Sequence, residues 1–83
     1  MEIEFDPEKD ERNVEKHGVS LGRFSDLESS IVVEDERFSE PRFRIYGLID
    51  GLWHCAAVTV RGPAFRVISL RRAHRKEVER HVS

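Results

Sequence analysis

A stretch near the end of the sequence contains three arginine side chains, each of which could bind a phosphate. In residues 64–73 apolar and polar residues alternate, as in a strand with one buried face, and Arg66, Arg71 and Arg72 lie among them. A guanidinium is planar, keeps its charge at physiological pH and can bind two oxygens of one phosphate. A strand that ends in two arginines is therefore a candidate site for a phosphate-containing ligand.

Charge is distributed unevenly along the chain, although the net charge is only -2. Residues 1–40 carry 13 acidic and five basic side chains, whereas residues 41–83 carry three acidic and nine basic ones, of which eight are arginine. An arginine-rich half favours a nucleic-acid ligand, because arginine binds phosphate and stacks on bases. The alternative is that the two halves neutralise each other across the fold.

The length and composition of the chain predict a small protein with a heavily charged surface. Its 83 residues are 39% hydrophobic and 36% charged, so we expect residues 1–83 to form a single domain with one modest core. No apolar run approaches the ~20 residues that cross a bilayer, and the first residues lack the basic and apolar segments of a signal peptide. We therefore expect a cytoplasmic protein with no membrane contact.

The first forty residues predict a strand, two helices, a second strand and a loop. Residues 3–5 alternate as an edge strand, and a first helix is bounded by Asp6 as its N-cap and Gly18 as its end. A second helix begins at Ser20, followed by a short strand at residues 31–33 and a charged loop up to Pro41.

The first helix contains a polar cluster at helical spacing. Asn13, Lys16 and His17 are three and four residues apart, so they share one face and could form a contact surface. The alternative is that Lys16 and His17 only complement the negative end of the helix dipole.

Asp50-Gly51 lies between two alternating runs and predicts a tight two-residue hairpin, because both residues tolerate positive φ. This turn places Ile49 opposite Leu52, and it gives one apolar face to the core. The core face carries Phe43, Ile45, Ala56 and Val58. The opposite face, here called the arginine face, carries Arg42, Arg44, Tyr46, Thr59 and Arg61.

A second turn at Gly62-Pro63 leads into the last strand, and a helix over residues 72–82 follows it. A two-residue loop puts Phe65 and Val67 in the core and Arg66 on the arginine face. The same register places Ser69 and Arg71 on the core side. That placement conflicts with a role for Arg71 in binding phosphate.

The remaining polar residues limit the possible chemistry. The four histidines are scattered without metal-ligand spacing, and no nucleophile elbow or glycine-rich phosphate loop is present, so we predict neither a metal nor a cofactor. The single cysteine, Cys55, lies in a predicted strand, which favours a small buried hydrophobe over a reactive thiol.

An arginine-lined surface near Lys16 and His17 suits metal-independent RNA cleavage. In that reaction the ribose 2′-hydroxyl attacks its own phosphate, so the protein supplies a base, an acid and fixed positive charge. Arginine would supply the charge, and His17, Lys16 or a carboxylate could move protons. The alternative is a non-catalytic RNA-binding or protein-binding surface.

A series of short motifs runs in order through nearly the whole chain. Their residues are Asp6-Pro7, Asn13, Lys16-His17-Gly18-Val19, Arg61-Gly62, Arg66-Val67-Ile68-Ser69, Arg71-Arg72-Ala73 and Glu77. Together they resemble the BrnT family of bacterial type II toxins. The combination of Lys16-His17-Gly18-Val19 with the segment from Arg66 to Ala73 is fairly specific, whereas each fragment alone is a weak signal. Two positions depart from the usual family pattern: His81 stands where an aromatic residue is common, and Phe5 where tryptophan is frequent.

The resemblance implies an α+β, RelE-like fold with a small antiparallel β-sheet, two N-terminal helices and one C-terminal helix. It implies an endoribonuclease that cuts RNA and inhibits translation. It also implies a cognate antitoxin with a ribbon-helix-helix DNA-binding domain, so that operator DNA is bound only through the antitoxin.

Site residues can be carried over at the matching positions. Arg61 and Arg71 are expected to stabilise the scissile phosphate, and Lys16 or His17 to orient RNA or move a proton. The expected substrate-binding residues are Arg72, Arg66, Ser69, Arg42, Arg44 and Tyr46. A Glu40–Arg42 ion pair is expected to support the site.

Overall fold

The computed structural model describes residues 2–82, which form five strands, two α-helices and one 3₁₀ helix. Along the chain these are strand β1 (Glu2–Glu4), helix α1 (Pro7–His17), the 3₁₀ helix (Leu21–Asp26), strands β2 (Glu28–Glu34), β3 (Arg42–Ile49), β4 (Leu52–Arg61) and β5 (Ala64–Arg72), and helix α2 (Arg75–His81). None of the helices within residues 2–82 is long and apolar enough to span a bilayer.

The strands form one sheet in the order β1-β5-β4-β3-β2. The α+β class and the edge position of β1 are confirmed. The sheet is mixed and not purely antiparallel, because β1 runs parallel to the beginning of β5, with Glu2 opposite Ala64 and Glu4 opposite Arg66. All other strand pairs are antiparallel.

The Asp50-Gly51 hairpin is confirmed in its turn and in its register. Both turn residues have positive φ, 52° and 76°, which matches the twist of the flanking strands. Ile49 lies opposite Leu52, and Ile45 lies opposite Ala56. The hairpin therefore divides its side chains between a core face and the arginine face as predicted.

The register of β5 changes at Ile68. From Ala64 to Val67 the pairing with β4 is the predicted one, with Val67 opposite Val58. The next pair is Ser69 with Ala57, so Ile68 is an extra residue in a β-bulge. The placement of Ser69 and Arg71 on the core side was therefore wrong, because the bulge turns both toward the arginine face.

The core lies between the sheet and the helices that follow β1. Its fully or nearly fully buried apolar residues are Leu21, Ile45, Ile49, Ala56, Val58, Val67 and Leu70. Phe5, Val19 and Phe24 pack against this cluster. The helix predicted from Ser20 is a 3₁₀ helix, although Ser20 caps it as expected by accepting a hydrogen bond from the Gly22 N–H.

Helix α1 begins and ends as predicted, with Asp6 as N-cap and Gly18 in the left-handed region at φ 74°. Its Asn13 is buried and not part of a contact surface. The Asn13 amide donates to the carbonyls of Leu70 and Val19, both at 2.8 Å, and its oxygen accepts from the Leu70 N–H at 3.2 Å. β1 pairs with β5 only as far as Arg66, and Asn13 binds the β5 backbone beyond it.

Helix α2 begins at Arg75, three residues later than predicted, because β5 continues to Arg72. It has no buried residue. Its Glu77 and His81 reach the arginine face, so this short helix covers one end of that face.

Candidate active site on the arginine face

A carboxylate on α2 lies among the basic side chains of the arginine face. Arg71 donates to Glu77 twice, from Nη1 to Oε1 at 2.7 Å and from Nη2 to Oε2 at 3.1 Å. The Tyr46 hydroxyl donates to Oε2 at 3.1 Å, and the His74 N–H donates to Oε1 at 2.9 Å. Hydrogen bonding to Arg71 is the main cause that lowers the pKa of Glu77 to about 2, so Glu77 is ionised at neutral pH.

Arg71 owes its position to the bulge at Ile68. In the shifted register it lies opposite Cys55, two residues beyond Ser69 on the same face. Its side chain is 26% exposed and lines a cavity of about 300 Å³. The side chains around this cavity that come from the sheet are Arg42, Phe43, Arg44, Cys55, Ala57, Ser69 and Arg71.

Arg71 keeps hydrogen-bonding capacity toward the cavity. A guanidinium has five N–H groups, and Arg71 makes three hydrogen bonds within residues 2–82, two to Glu77 and one to the Arg72 carbonyl. Two N–H groups therefore remain for a ligand. Arg71 stays protonated although it is partly buried, because the hydrogen bonds to the Glu77 carboxylate raise its pKa above the usual value.

Arg44 adds a second guanidinium to the same cluster. Its Nη1 lies 3.7 Å from Glu77 Oε2. Its Nε is buried and has no hydrogen-bond partner among the described residues. One carboxylate thus faces two arginines, which leaves net positive charge in the cavity.

His17 and Lys16 lie at the end of α1, close to the bulge. A small cavity there is lined by Lys16, His17, Ile68 and Ser69, among others, and Ser69 also lines the cavity of Arg71. Burial lowers the pKa of His17, and the positive charges of Lys16 and Arg71 lower it further. A neutral imidazole can accept a proton at neutral pH, so this position suits a general base.

Tyr46 is predicted to bind the substrate, but in the structure it is buried and contacts Glu77 and His81. Its side chain is 0% exposed and stacks on the His81 ring, with 5.1 Å between ring centroids. Burial raises the pKa of Tyr46 well above its usual range, so its hydroxyl stays protonated and donates to Glu77. His81 therefore places a planar ring against Tyr46 near the end of α2.

The structure does not bring Arg61 together with Arg71. Arg61 is at the end of β4 opposite Ala64, whereas Arg71 lies opposite Cys55, six residues earlier on β4. At about 3.3 Å per residue the two positions are about 20 Å apart. Arg61 is exposed, so it lies at the far end of the arginine face.

The other predicted basic residues do not all lie between Arg61 and Arg71. Arg66 does, opposite Thr59, and it forms an ion pair with Glu4 at 3.5 Å. Arg72 is exposed beyond Arg71, opposite His54, so it projects from the other face of β5 and lines a separate cavity with Trp53 and Glu79. The expected ion pair between Glu40 and Arg42 is confirmed, with 2.8 Å between Oε1 and Nη2.

Two residues of the site had no role in the sequence-based interpretation. Glu77 was part of a motif, and a glutamate three residues after His74 is a signal for the start of a helix, but its contact with Arg71 depends on how α2 folds back. Phe38 lies in the charged loop before Pro41, where the sequence gives no sign of a site, and it lines the cavity of Arg71. No group of three or more His, Cys, Asp or Glu side chains within residues 2–82 is arranged to hold a metal ion.

Both the sequence and the fold of the chain are similar to those of known proteins. Residues 5–77 match the family model for the ribonuclease toxin BrnT of type II toxin-antitoxin systems. The fold is similar to the crystal structure of the ribonuclease toxin BrnT of Brucella abortus, with a TM-score of 0.72 and 28% sequence identity over 90% of this chain and 99% of that chain. No curated protein sequence matches the chain. Because the family model covers most of the chain, the protein belongs to the BrnT family of ribonuclease toxins of type II toxin-antitoxin systems.

Proposed function

We propose that this protein is an endoribonuclease that cleaves RNA without a metal ion. The observation that carries the proposal is the convergence of Arg71 and His17 on Ser69 at the β5 bulge, where a fixed positive charge lies near a histidine of lowered pKa. These groups match the needs of a reaction in which the RNA supplies its own nucleophile.

The reaction begins when neutral His17 accepts the proton of a ribose 2′-hydroxyl. The 2′-oxygen attacks the adjacent phosphorus, and the bond from phosphorus to the 5′-oxygen breaks. Lys16 donates a proton to that leaving oxygen. The products are a 2′,3′-cyclic phosphate on one fragment and a 5′-hydroxyl on the other.

Arg71 stabilises the phosphorane, whose negative charge grows as the 2′-oxygen attacks. Its two remaining N–H groups bind phosphate oxygens, and Arg44 adds positive charge from the same cavity. Donors that are already oriented before the reaction stabilise a transition state at no further cost in reorganisation. Glu77 provides this orientation by binding two nitrogens of Arg71, and Tyr46 in turn holds Glu77.

The rest of the arginine face binds the RNA on either side of the scissile phosphate. Arg61, about 20 Å from Arg71, contacts phosphates several nucleotides away from the scissile one. Arg42 and Arg66 contact the phosphates between. Arg72, which follows Arg71 on the other face of β5, contacts the RNA beyond the scissile phosphate.

The protein acts in the cytoplasm, where its cleavage of RNA inhibits translation. Membership of a type II toxin-antitoxin family implies a cognate antitoxin that neutralises the toxin. We propose that this antitoxin carries a ribbon-helix-helix domain. Operator DNA is bound only through that antitoxin. Residues 1–83 act as a single domain.

Cleavage of a defined RNA in EDTA tests this proposal. We expect cleavage to persist in EDTA and to leave 2′,3′-cyclic phosphate ends, which mass spectrometry distinguishes from linear phosphates. Cleavage that stops in EDTA and returns with magnesium would contradict the metal-free reaction. Binding of RNA that weakens with salt, without any cleavage, would indicate a binding module and not an enzyme.

A further inference from the structure

Phe38 is an exposed aromatic residue at the edge of the catalytic cavity. It is 42% exposed, and it lines the cavity that also contains Ser69 and Arg71. A single exposed apolar residue is ordinary on a protein surface. What distinguishes Phe38 is its position beside the proposed site of phosphate cleavage and the charged groups around its ring.

The loop that carries Phe38 is fixed at its base by Asp35. The Asp35 carboxylate accepts from Arg37 Nε at 2.9 Å and from Arg37 Nη2 at 2.7 Å. The Asp35 N–H donates to the Arg42 carbonyl at 2.8 Å, which closes the loop. Hydrogen bonding to Arg37 lowers the pKa of Asp35 to about 2, so this clamp persists at neutral pH.

Two guanidinium groups lie close to the Phe38 ring. Arg42 lies over the ring, with its central carbon 4.1 Å from the ring centroid, and Arg37 lies 5.6 Å away. Glu40 holds Arg42 in that position through an ion pair of 2.8 Å. A flat apolar ring beside guanidinium planes presents the surface on which an unpaired nucleobase stacks, with positive charge for the adjoining phosphate.

We propose that Phe38, together with Arg42, is a stacking site for one unpaired nucleobase next to the scissile phosphate. This inference rests on the proposed function, since it assumes that RNA occupies the cavity of Arg71. Duplex RNA buries its base faces, so the site selects single-stranded RNA. Phe38 is thus a substrate-binding residue that positions the RNA and takes no part in proton transfer.

A binding experiment separates this inference from catalysis. The probe is a single-stranded RNA of ten nucleotides, methylated at every 2′-oxygen so that it cannot be cut, with 2-aminopurine at one position in each member of a series. Stacking of 2-aminopurine on an aromatic ring quenches its fluorescence. We expect quenching on the wild-type protein for at least one position of the label.

Variants of Phe38 then test the role of the ring. Phe38→Tyr and Phe38→Trp keep the π-face and should retain quenching, whereas Phe38→Leu keeps an apolar side chain but should lose it. Affinity for the RNA should fall by about 5- to 150-fold in Phe38→Leu, in line with the loss of one stacked base. Leu52→Ala is the control, because it removes another exposed apolar side chain, 46% exposed, at the Asp50-Gly51 turn.

Several results would overturn the stacking site. The first is a wild-type protein that does not quench the probe. The second is a Phe38→Leu variant that binds RNA as tightly as the wild type. The third is a Phe38→Leu variant that binds the antitoxin more weakly but keeps its affinity for RNA. The last result would assign Phe38 to the protein partner. A wild-type protein that quenches the probe but cuts no unmethylated RNA would contradict the proposed enzyme and support the stacking site.

Discussion

Glu77 binds Arg71 through both of its carboxylate oxygens, at 2.7 and 3.1 Å, and so fixes the plane of the guanidinium that faces the cavity. The two residues belong to different elements, the end of β5 and the short helix α2. The position of α2 therefore determines the orientation of Arg71, the residue proposed to bind phosphate.

Glu77→Gln should slow catalysis more than it weakens RNA binding. Glutamine keeps the size of the side chain but has no charge to hold two guanidinium nitrogens, so Arg71 loses its fixed orientation. We expect kcat to fall by about 10- to 100-fold. Affinity for RNA should stay equal or rise, because a negative charge leaves the cavity.

The control for this variant is Glu79→Gln on the same helix. Glu79 is 62% exposed and pairs with Arg75, outside the cavity of Arg71. It should leave kcat unchanged. A Glu77→Gln protein that turns over normally but binds RNA weakly would show that Glu77 does not position Arg71.

Acid should destabilise the wild-type protein more than Glu77→Gln. The pKa of Glu77 is about 2 in the folded protein and near 4.5 when unfolded, so its contribution is complete above about pH 5 and is lost as pH falls toward 2. Solvent screens part of the ion pair, and we expect a contribution of about 1–2 kcal/mol. Denaturant unfolding at several pH values measures it.

The difference in unfolding free energy between wild type and Glu77→Gln should shrink as the pH is lowered. Asp35, whose pKa is also about 2, contributes with the same sign in both proteins and so cancels in the comparison. A difference that stays constant between pH 7 and pH 3 would mean that the ion pair does not stabilise the fold.

Lys16→Gln should move the acidic limb of the pH dependence of kcat/KM to higher pH. The positive charge of Lys16 disfavours the imidazolium form of His17 and lowers its pKa, so removing that charge raises the pKa. The maximum rate should also fall, because Lys16 donates the leaving-group proton. The midpoint of the acidic limb is therefore the quantity to measure.

His17→Gln should abolish that limb and lower the rate by about 100-fold or more. Lys76→Gln, an exposed lysine on α2, serves as the control and should leave the midpoint unchanged. An acidic limb that persists in His17→Gln would assign the base to another group.

Asn13→Ala should destabilise the fold without changing any charge. It removes two bonds to the Leu70 backbone and one to the Val19 carbonyl, and it leaves buried backbone groups unpaired. We expect a loss of about 2–4 kcal/mol in the free energy of unfolding. The neighbouring exposed Glu11→Ala should change it by less than about 0.5 kcal/mol.

Local signals in the sequence were sufficient to predict the hairpin and the caps of α1. Asp50-Gly51 determines its own turn geometry, and the alternation around it leaves one register that buries the apolar side chains. Asp6 and Gly18 act through contacts within a few residues. Such features depend little on the rest of the fold.

The bulge at Ile68 and the contacts of Glu77 could not be predicted in the same way. A bulge shifts the register by one residue without a required residue type, and here it brings Leu70 into the core while Asn13, 57 residues earlier, binds its backbone. Glu77 meets Tyr46 across 31 residues. Both outcomes depend on packing between distant segments.

The role of Arg71 in metal-free cleavage is measured most directly by the single-turnover rate of RNA cleavage in EDTA by wild type, Arg71→Ala and Arg71→Lys. We expect Arg71→Ala to lose about 100- to 1,000-fold, and Arg71→Lys to recover little, because lysine cannot bind Glu77 and phosphate through a planar fork. Arg23→Ala is the control and should cleave RNA at the wild-type rate. Arg23 pairs with Asp26 and Asp50 outside the cavity of Arg71. Cleavage by folded Arg71→Ala at the wild-type rate would contradict the proposal that Arg71 stabilises the scissile phosphate.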